Sequence, residues 1–237
     1  MQVPSGRTLN ALDINAMKMM AKYDFIRYQE KPFLLKSGVE SHVYVYGRED
    51  ITDNMGFEIS VGAKIRNVIW QAMQEMNDNR RPCLIGIPTA GTPLAQAAAL
   101  ASWLVVRNED SPELICHRVM REALKHHGPH RTWVNGRPDP DKHCYWLVDN
   151  VATNGESKLE AAKKFALDGY PLKAQTPVMI FVDRQQGAVK RLLQEGFKRV
   201  EVVYNLLDIT FALSELGLWP KKVVRKVEEE IHAHQFV

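Results

Sequence analysis

Asp149 and Asn150 stand at the end of the apolar run Tyr145 to Val148, and Thr153, Asn154, Gly155, Glu156 and Ser157 follow closely. The short apolar run reads as a buried strand, Thr153-Asn154-Gly155 as a turn, and Leu159, Ala162, Lys163 and Ala166 continue at helical spacing. Strand, small-residue loop, then helix is the arrangement in which backbone N–H groups at a helix start cradle a phosphate. The Asp149 carboxylate would then lie beside whatever carries the phosphate, and sugar hydroxyls are the obvious candidates. Asp, Asn and Gly also build ordinary strand-to-helix turns, so the stretch alone leaves both readings open.

The elements that would position this stretch follow from periodicity. Leu12, Met17, Met20 and Tyr23 predict an amphipathic helix within residues 10–29, with the methionines as packing. Phe33 to Arg48 reads as a hairpin turning at Ser37-Gly38. Phe57, Val61, Ile65, Val68, Ile69 and Met76 share one helical face. Strands are expected at Cys83–Ile87, Leu114–Arg118, Val178–Asp183 and Arg199–Tyr204; the first runs through a loop, Pro88 to Pro93, into an alanine-rich helix to Trp103, and further helices are expected from Gly187 to Leu193 and over about 206–217 and 219–234. Residues 120–142 lose all pattern, which in a compact domain marks a functional or disordered loop. Strands alternating with helices predict an α/β fold, a mainly parallel sheet with helices on both faces, and ligands outside the carboxyl ends of its strands. No linker or repeat divides the chain, so residues 1–237 are expected to form one domain.

Composition narrows the class. Of the 237 residues, 45% are hydrophobic and 25% charged, ordinary values for a globular protein with a sizeable core. A net charge of +3 is too small to argue for nucleic acid. Cys83, Cys116 and Cys144, an odd number, lie in or beside apolar runs and read as reduced thiols of a cytoplasmic protein. No apolar run approaches the roughly 18 residues of a membrane span, and the start lacks a signal peptide's order. Lys125, His126 and His127 could be a solvated loop or an adventitious metal site, and no His/Cys spacing supports structural zinc.

Asp149, Thr153, Gly155 and Ser157 match the phosphoribosyl-pyrophosphate (PRPP) signature of type I phosphoribosyltransferases. Taken in order, the loops resemble those of the orotate phosphoribosyltransferases over about residues 10–210. The segment Phe33-Leu-Leu-Lys-Ser-Gly-Val-Glu-Ser-His-Val-Tyr44 is similar to that family's hairpin. The resemblance implies that Lys36 contacts substrate and that backbone near Tyr44 and Val45 holds orotate. Gly86 to Ala95 resembles the pyrophosphate loop, implicating Thr89, Ala90 and Gly91, with Gly91 letting backbone approach the anion. Arg121, Lys125, His127 and Gly128 match a mobile catalytic loop, and Asp183-Arg184-Gln-Gln-Gly187 matches the segment whose arginine meets the orotate carboxylate. A planar guanidinium suits that planar partner. The resemblance also implies a small N-terminal hood of helix and hairpin, Mg²⁺ bound through PRPP rather than by a protein metal site, and a homodimer sharing the loop 121–136 between subunits.

Asn150, Asn154, Glu156, Glu122 and Ala123 depart from the family pattern, and three of these bear on the charge of the site. Asn150 removes one negative charge beside the ribosyl centre, Glu122 replaces a cation that would face pyrophosphate, and Glu156 places a carboxylate at the phosphate cradle. Asn154 is milder, since it can donate a hydrogen bond. The expectation is orotate phosphoribosyl transfer with slowed turnover. The alternative is a PRPP- or nucleotide-binding regulatory protein on the same fold.

Overall fold

A computed structural model describes residues 1–35, 38–47, 51–123, 133–136 and 138–236. The elements in chain order are α1 Ala11–Lys22, β1 Ile26–Leu34, β2 Glu40–Val45, α2 Met55–Glu75, β3 Arg81–Gly86, α3 Gly91–Val106, β4 Cys116–Val119, β5 His143–Ala152, α4 Glu156–Leu167, β6 Pro177–Asp183, α5 Ala188–Gln194, β7 Arg199–Asn205, α6 Leu206–Glu215 and α7 Lys222–Ala233. Five strands form one all-parallel sheet in the order β4-β3-β5-β6-β7. The central strands carry long apolar runs, Cys144 to Val148 on β5 and Val178 to Val182 on β6, because both sheet faces are covered.

Alternation along β5 and β6 divides their side chains between two cores. Trp146, Val148, Met179 and Phe181 pack with Val61 and Ile65 of α2, Leu94 and Ala98 of α3 and Ile209 of α6. Tyr145, Leu147, Val178 and Ile180 pack with Leu159 and Phe165 of α4 and with Ala188 and Leu192 of α5. Helices therefore lie on both faces, as the periodicity predicts. Among the described residues, no helix is long and apolar enough to cross a membrane.

The hood is larger than expected. β1 and β2 form a separate antiparallel hairpin, with Gly38 at φ +82° in its turn. The chain's end completes it, because α7 packs on β2 and on α6. The first helix is shorter than the expected window. Asn10 and Asp13 start it with a reciprocal capping box, and it stops at Lys22 before Asp24 at φ +51°. Ile26 onward is strand instead. Met17 and Met20 are fully buried, but Leu12 is 78% exposed and lies off the packing face.

Candidate functional site

The cleft forms where β5 outruns its neighbour. β3 ends with Gly86 opposite Val148, whereas β6 continues beside β5 until Asp183 pairs with Ala152. From Asp149 onward one edge of β5 is uncovered. Asp149 and Asn150 thus lie inside the strand rather than just beyond it, because β6 goes on supplying ladder partners. A cavity of about 480 Å³ opens there. Its walls carry Tyr44, Val45, Thr89, Ala90, Asp149, Asn150, Thr153, Asn154, Gly155, Glu156, Ser157 and Arg184. Twelve residues singled out from the sequence thus converge on one space.

Two singled-out residues do not reach it. Gly91 is buried beneath the loop, and its N–H already bonds the Ile87 carbonyl at 2.9 Å. A Cβ there would meet the Val148 carbonyl oxygen at 2.2 Å, so the glycine serves the β3–β5–α3 packing rather than an approach to an anion. Arg121 lies outside the walls, where its Nε donates to the Trp133 carbonyl at 3.2 Å. Trp133 is itself buried against Phe165 and Tyr170, which anchors that end of the loop stem. Lys36, Lys125 and His127 lie outside the described residues, as does Gly128.

The loop from Thr153 to Ser157 turns directly into a helix start at the cleft wall. Gly155 adopts φ +81° and immediately precedes α4. The N–H groups of Lys158 and Leu159 turn back to the Gly155 carbonyl, and the Glu156 N–H bonds Asn154 Oδ1 at 3.2 Å. The positive end of the helix dipole at this start favours an anion. The Glu156 carboxylate does not oppose this. It pairs with Arg191 of α5 at 2.7 Å, and the same guanidinium bonds the Asn154 carbonyl at 3.0 Å. Glu122, another of the three charge departures, is exposed at the loop stem and does not line the cleft.

Lys158 is the residue that sequence reasoning missed. It is 1% exposed, and its ammonium touches three oxygens: Asp149 Oδ2 at 2.5 Å, the Val151 carbonyl at 2.5 Å and Ser157 Oγ at 3.2 Å. All three of its protons therefore have acceptors. Asp149 Oδ2 also accepts from the Ser157 hydroxyl at 3.1 Å, and Oδ1 accepts from the Asn150 N–H at 2.9 Å. That leaves one lone pair on Oδ1 for a ligand hydroxyl. Asp183, at the end of β6, is buried, and burial pushes its carboxyl above the usual range, while Lys158 acts in the opposite direction. The sequence did carry one signal. A lysine in a helix's first turn sits against the dipole, so it needs a carboxylate nearby.

Asn150 is explained by the hood. Its Nδ2 donates to the Tyr46 carbonyl at 3.1 Å, fastening the hairpin to β5. Gly47, at φ +67°, presses on the same amide, since a Cβ there would lie 2.3 Å from Nδ2. Arg184 is 2% exposed at the base of the cleft and bonds the Val43 carbonyl, Ser41 Oγ and the carboxylate of Glu230 on α7. Glu230 was also missed. It follows Val223 and Val227 on one helical face, and all three are buried, so a carboxylate on an apolar stripe was the available sign. Among the described residues, no group of three or more His, Cys, Asp or Glu side chains could hold a metal ion.

No protein-family model matches the chain. An orotate phosphoribosyltransferase from Cenarchaeum symbiosum is 31% identical over 164 residues, covering 69% of this chain and 74% of the relative. One from Nostoc sp. is 25% identical over 192 residues, covering 81% and 84%. A crystal structure of the Francisella tularensis orotate phosphoribosyltransferase matches 97% of this chain and 98% of its own, with a TM-score of 0.66 at 18% identity. That last likeness is one of fold.

Proposed function

The chain belongs to the orotate phosphoribosyltransferase family, and we propose that its cleft joins orotate to PRPP, giving orotidine 5′-monophosphate and pyrophosphate. The ribosyl C1′–oxygen bond to pyrophosphate breaks, its electron pair leaving on the pyrophosphate oxygen, as a nitrogen of the orotate ring bonds to C1′ and releases its proton. Positive charge develops at the ribosyl centre and negative charge on the leaving group, and fixed groups aimed at both lower the barrier. The observation that carries the reading is the placement of Asp149 and the 153–157 loop together at the uncovered end of β5.

In this reading the 153–157 loop and the positive end of the α4 dipole hold the 5′-phosphate, and Asp149 accepts a ribose hydroxyl at its remaining Oδ1 lone pair. Ser157 and Lys158 keep that carboxylate in its rotamer. Thr89 and Ala90 form the opposing wall for pyrophosphate. Tyr44 and Val45, at the end of β2, bound the base, and Arg184 lies toward its carboxylate. By the family resemblance Lys36 contacts substrate, and Arg121, Lys125 and His127 belong to the catalytic loop.

The residues present fit Mg²⁺ that arrives on the pyrophosphate oxygens, because the Asp149 carboxylate in the cleft is already held by the Lys158 ammonium and keeps one lone pair on Oδ1. Such an ion would supply charge neutralisation for the leaving group. A homodimer sharing the loop 121–136 accords with an exposed apolar face on α3, where Leu100, Trp103 and Leu104 stand 52%, 41% and 49% exposed. Cytoplasmic residence agrees with three free cysteines.

The non-catalytic alternative is not favoured, since two of the departures are accommodated locally, Glu156 by Arg191 and Asn150 by Tyr46. Orotate consumption with PRPP and Mg²⁺, with uracil as the control base, tests the proposal. Orotate-dependent release of pyrophosphate is expected, and its absence would reject the activity.

A further inference from the structure

Arg184 is offered by the reading above as the partner of a substrate carboxylate, yet its donors are nearly spent. The two Nη2 protons go to Ser41 Oγ at 2.6 Å and Glu230 Oε1 at 2.5 Å, and Nη1 gives one to the Val43 carbonyl at 3.0 Å. Nε is buried without a partner. A carboxylate takes a guanidinium through one of two forks, Nε with Nη2 or Nη1 with Nη2. Both forks need an Nη2 proton. A second carboxylate can be seated bidentately only if Ser41 or Glu230 gives way.

The two occupants differ in how easily they can leave. Ser41 is fully buried on β2, and its hydroxyl also exchanges hydrogen bonds with the backbone of Val43. Glu230 is 9% exposed near the end of α7, where His232, Ala233, His234, Gln235 and Phe236 beyond it are largely exposed. Its Oε1 takes a second bond from Gln186 Nε2 at 3.2 Å, while Gln186 Oε1 is buried without a partner. The tail holds α7 in place through Phe236 N–H to the Gln186 carbonyl at 3.0 Å and Gln235 Nε2 to the Gln185 carbonyl at 3.0 Å. Glu230 also carries the same charge as the incoming group, and like charges brought together in a desolvated site oppose binding.

We propose that Glu230 is a resident competitor for the substrate carboxylate, a specificity-determining residue that a carboxylate-bearing base must displace from Arg184. The proposal rests on the functional reading above. Displacement loosens the last turns of α7, so binding at the cleft is coupled to the chain's end. A nucleotide lacking the carboxylate has no need of Nη2 and leaves Glu230 where it is.

Orotidine 5′-monophosphate and uridine 5′-monophosphate differ by that carboxylate alone, and neither reacts without pyrophosphate. Calorimetric titration of both into wild type and Glu230→Gln isolates the effect, since glutamine keeps an acceptor for Arg184 without the charge. Orotidine 5′-monophosphate should bind the variant about tenfold more tightly, with uridine 5′-monophosphate unchanged. Equal or weaker binding of orotidine 5′-monophosphate, or a parallel shift of both nucleotides, overturns the competitor role. Wild type alone gives a second reading should the variant fail to fold. Orotidine 5′-monophosphate should speed amide hydrogen exchange over residues 222–236, and uridine 5′-monophosphate should not. Exchange left unchanged by saturating orotidine 5′-monophosphate overturns the proposal as well. Failure of both nucleotides to bind either protein would instead strike the functional reading itself.

Discussion

Asn150→Asp sets two effects of similar size against each other. On charge alone it should help. A carboxylate about 5 Å from a developing positive centre, at an effective dielectric of about 20, is worth about 3 kcal/mol, or on the order of a hundredfold in rate. The structure opposes the change. Asn150 is 8% exposed and spends its Nδ2 on the Tyr46 carbonyl at 3.1 Å. Aspartate has no proton to give there, so two oxygens would face each other and a partly buried carbonyl would lose its donor. Such a loss costs about 1–3 kcal/mol. A central value of about 2 kcal/mol lowers the melting temperature of a chain this size by about 4–8 °C. The carboxylate must also move away from Tyr46, which shifts the hairpin that carries Tyr44 and Val45. Thermal melting and steady-state kinetics of the variant should show a lower melting temperature and a raised KM for orotate, with no hundredfold gain in kcat. An unchanged melting temperature together with a large rise in kcat would refute the hood-fastening role of Asn150.

Three other perturbations separate the remaining parts of the account. Lys158→Met keeps the side chain's bulk but leaves Asp149 without its buried partner, and should cost about 3 kcal/mol in denaturant unfolding along with weakened PRPP binding; full stability would show the ion pair to be idle. Asp78 is held well below the usual carboxylate range, chiefly by its hydrogen bond to Arg80 and also by Lys198. Its stabilisation is therefore present above the unfolded value of about 3.9 and fades as pH falls below it. Asp78→Asn should flatten that acid limb in melts across pH, and an unaltered limb would contradict the assignment. Mixing an Arg121/Lys125 double variant with an Asp149 variant should restore activity through hybrid dimers, whereas a strictly monomeric protein on sedimentation would exclude loop sharing.

Much of the site was legible because its residues are consecutive. Asp149 to Ser157 fall on one strand, one turn and one helix start, and local pattern suffices to place them together. The partners were not legible. Lys158 is adjacent to that run, but only the fold of the turn brings its ammonium back onto Asp149. Glu230 meets Arg184 across 46 residues, because the closing helices pack over the hairpin. The helix expected within 10–29 forms but stops early for a local reason, since Asp24 takes a left-handed conformation just past its end and leaves Ile26 onward for β1. Gly91 shows the limit of reading a glycine from a motif. The sequence marks a place with no room for a side chain, but not whether an anion or the Val148 carbonyl fills it.

The central claim is that phosphoribosyl transfer to orotate occurs in the cleft anchored by Asp149. Orotate consumption by wild type and Asp149→Ala, each with PRPP and Mg²⁺, tests it most directly. Wild type should consume orotate only when PRPP is present, and the variant should lose activity by about a hundredfold. No consumption by wild type, or equal rates in the two proteins, would contradict the account.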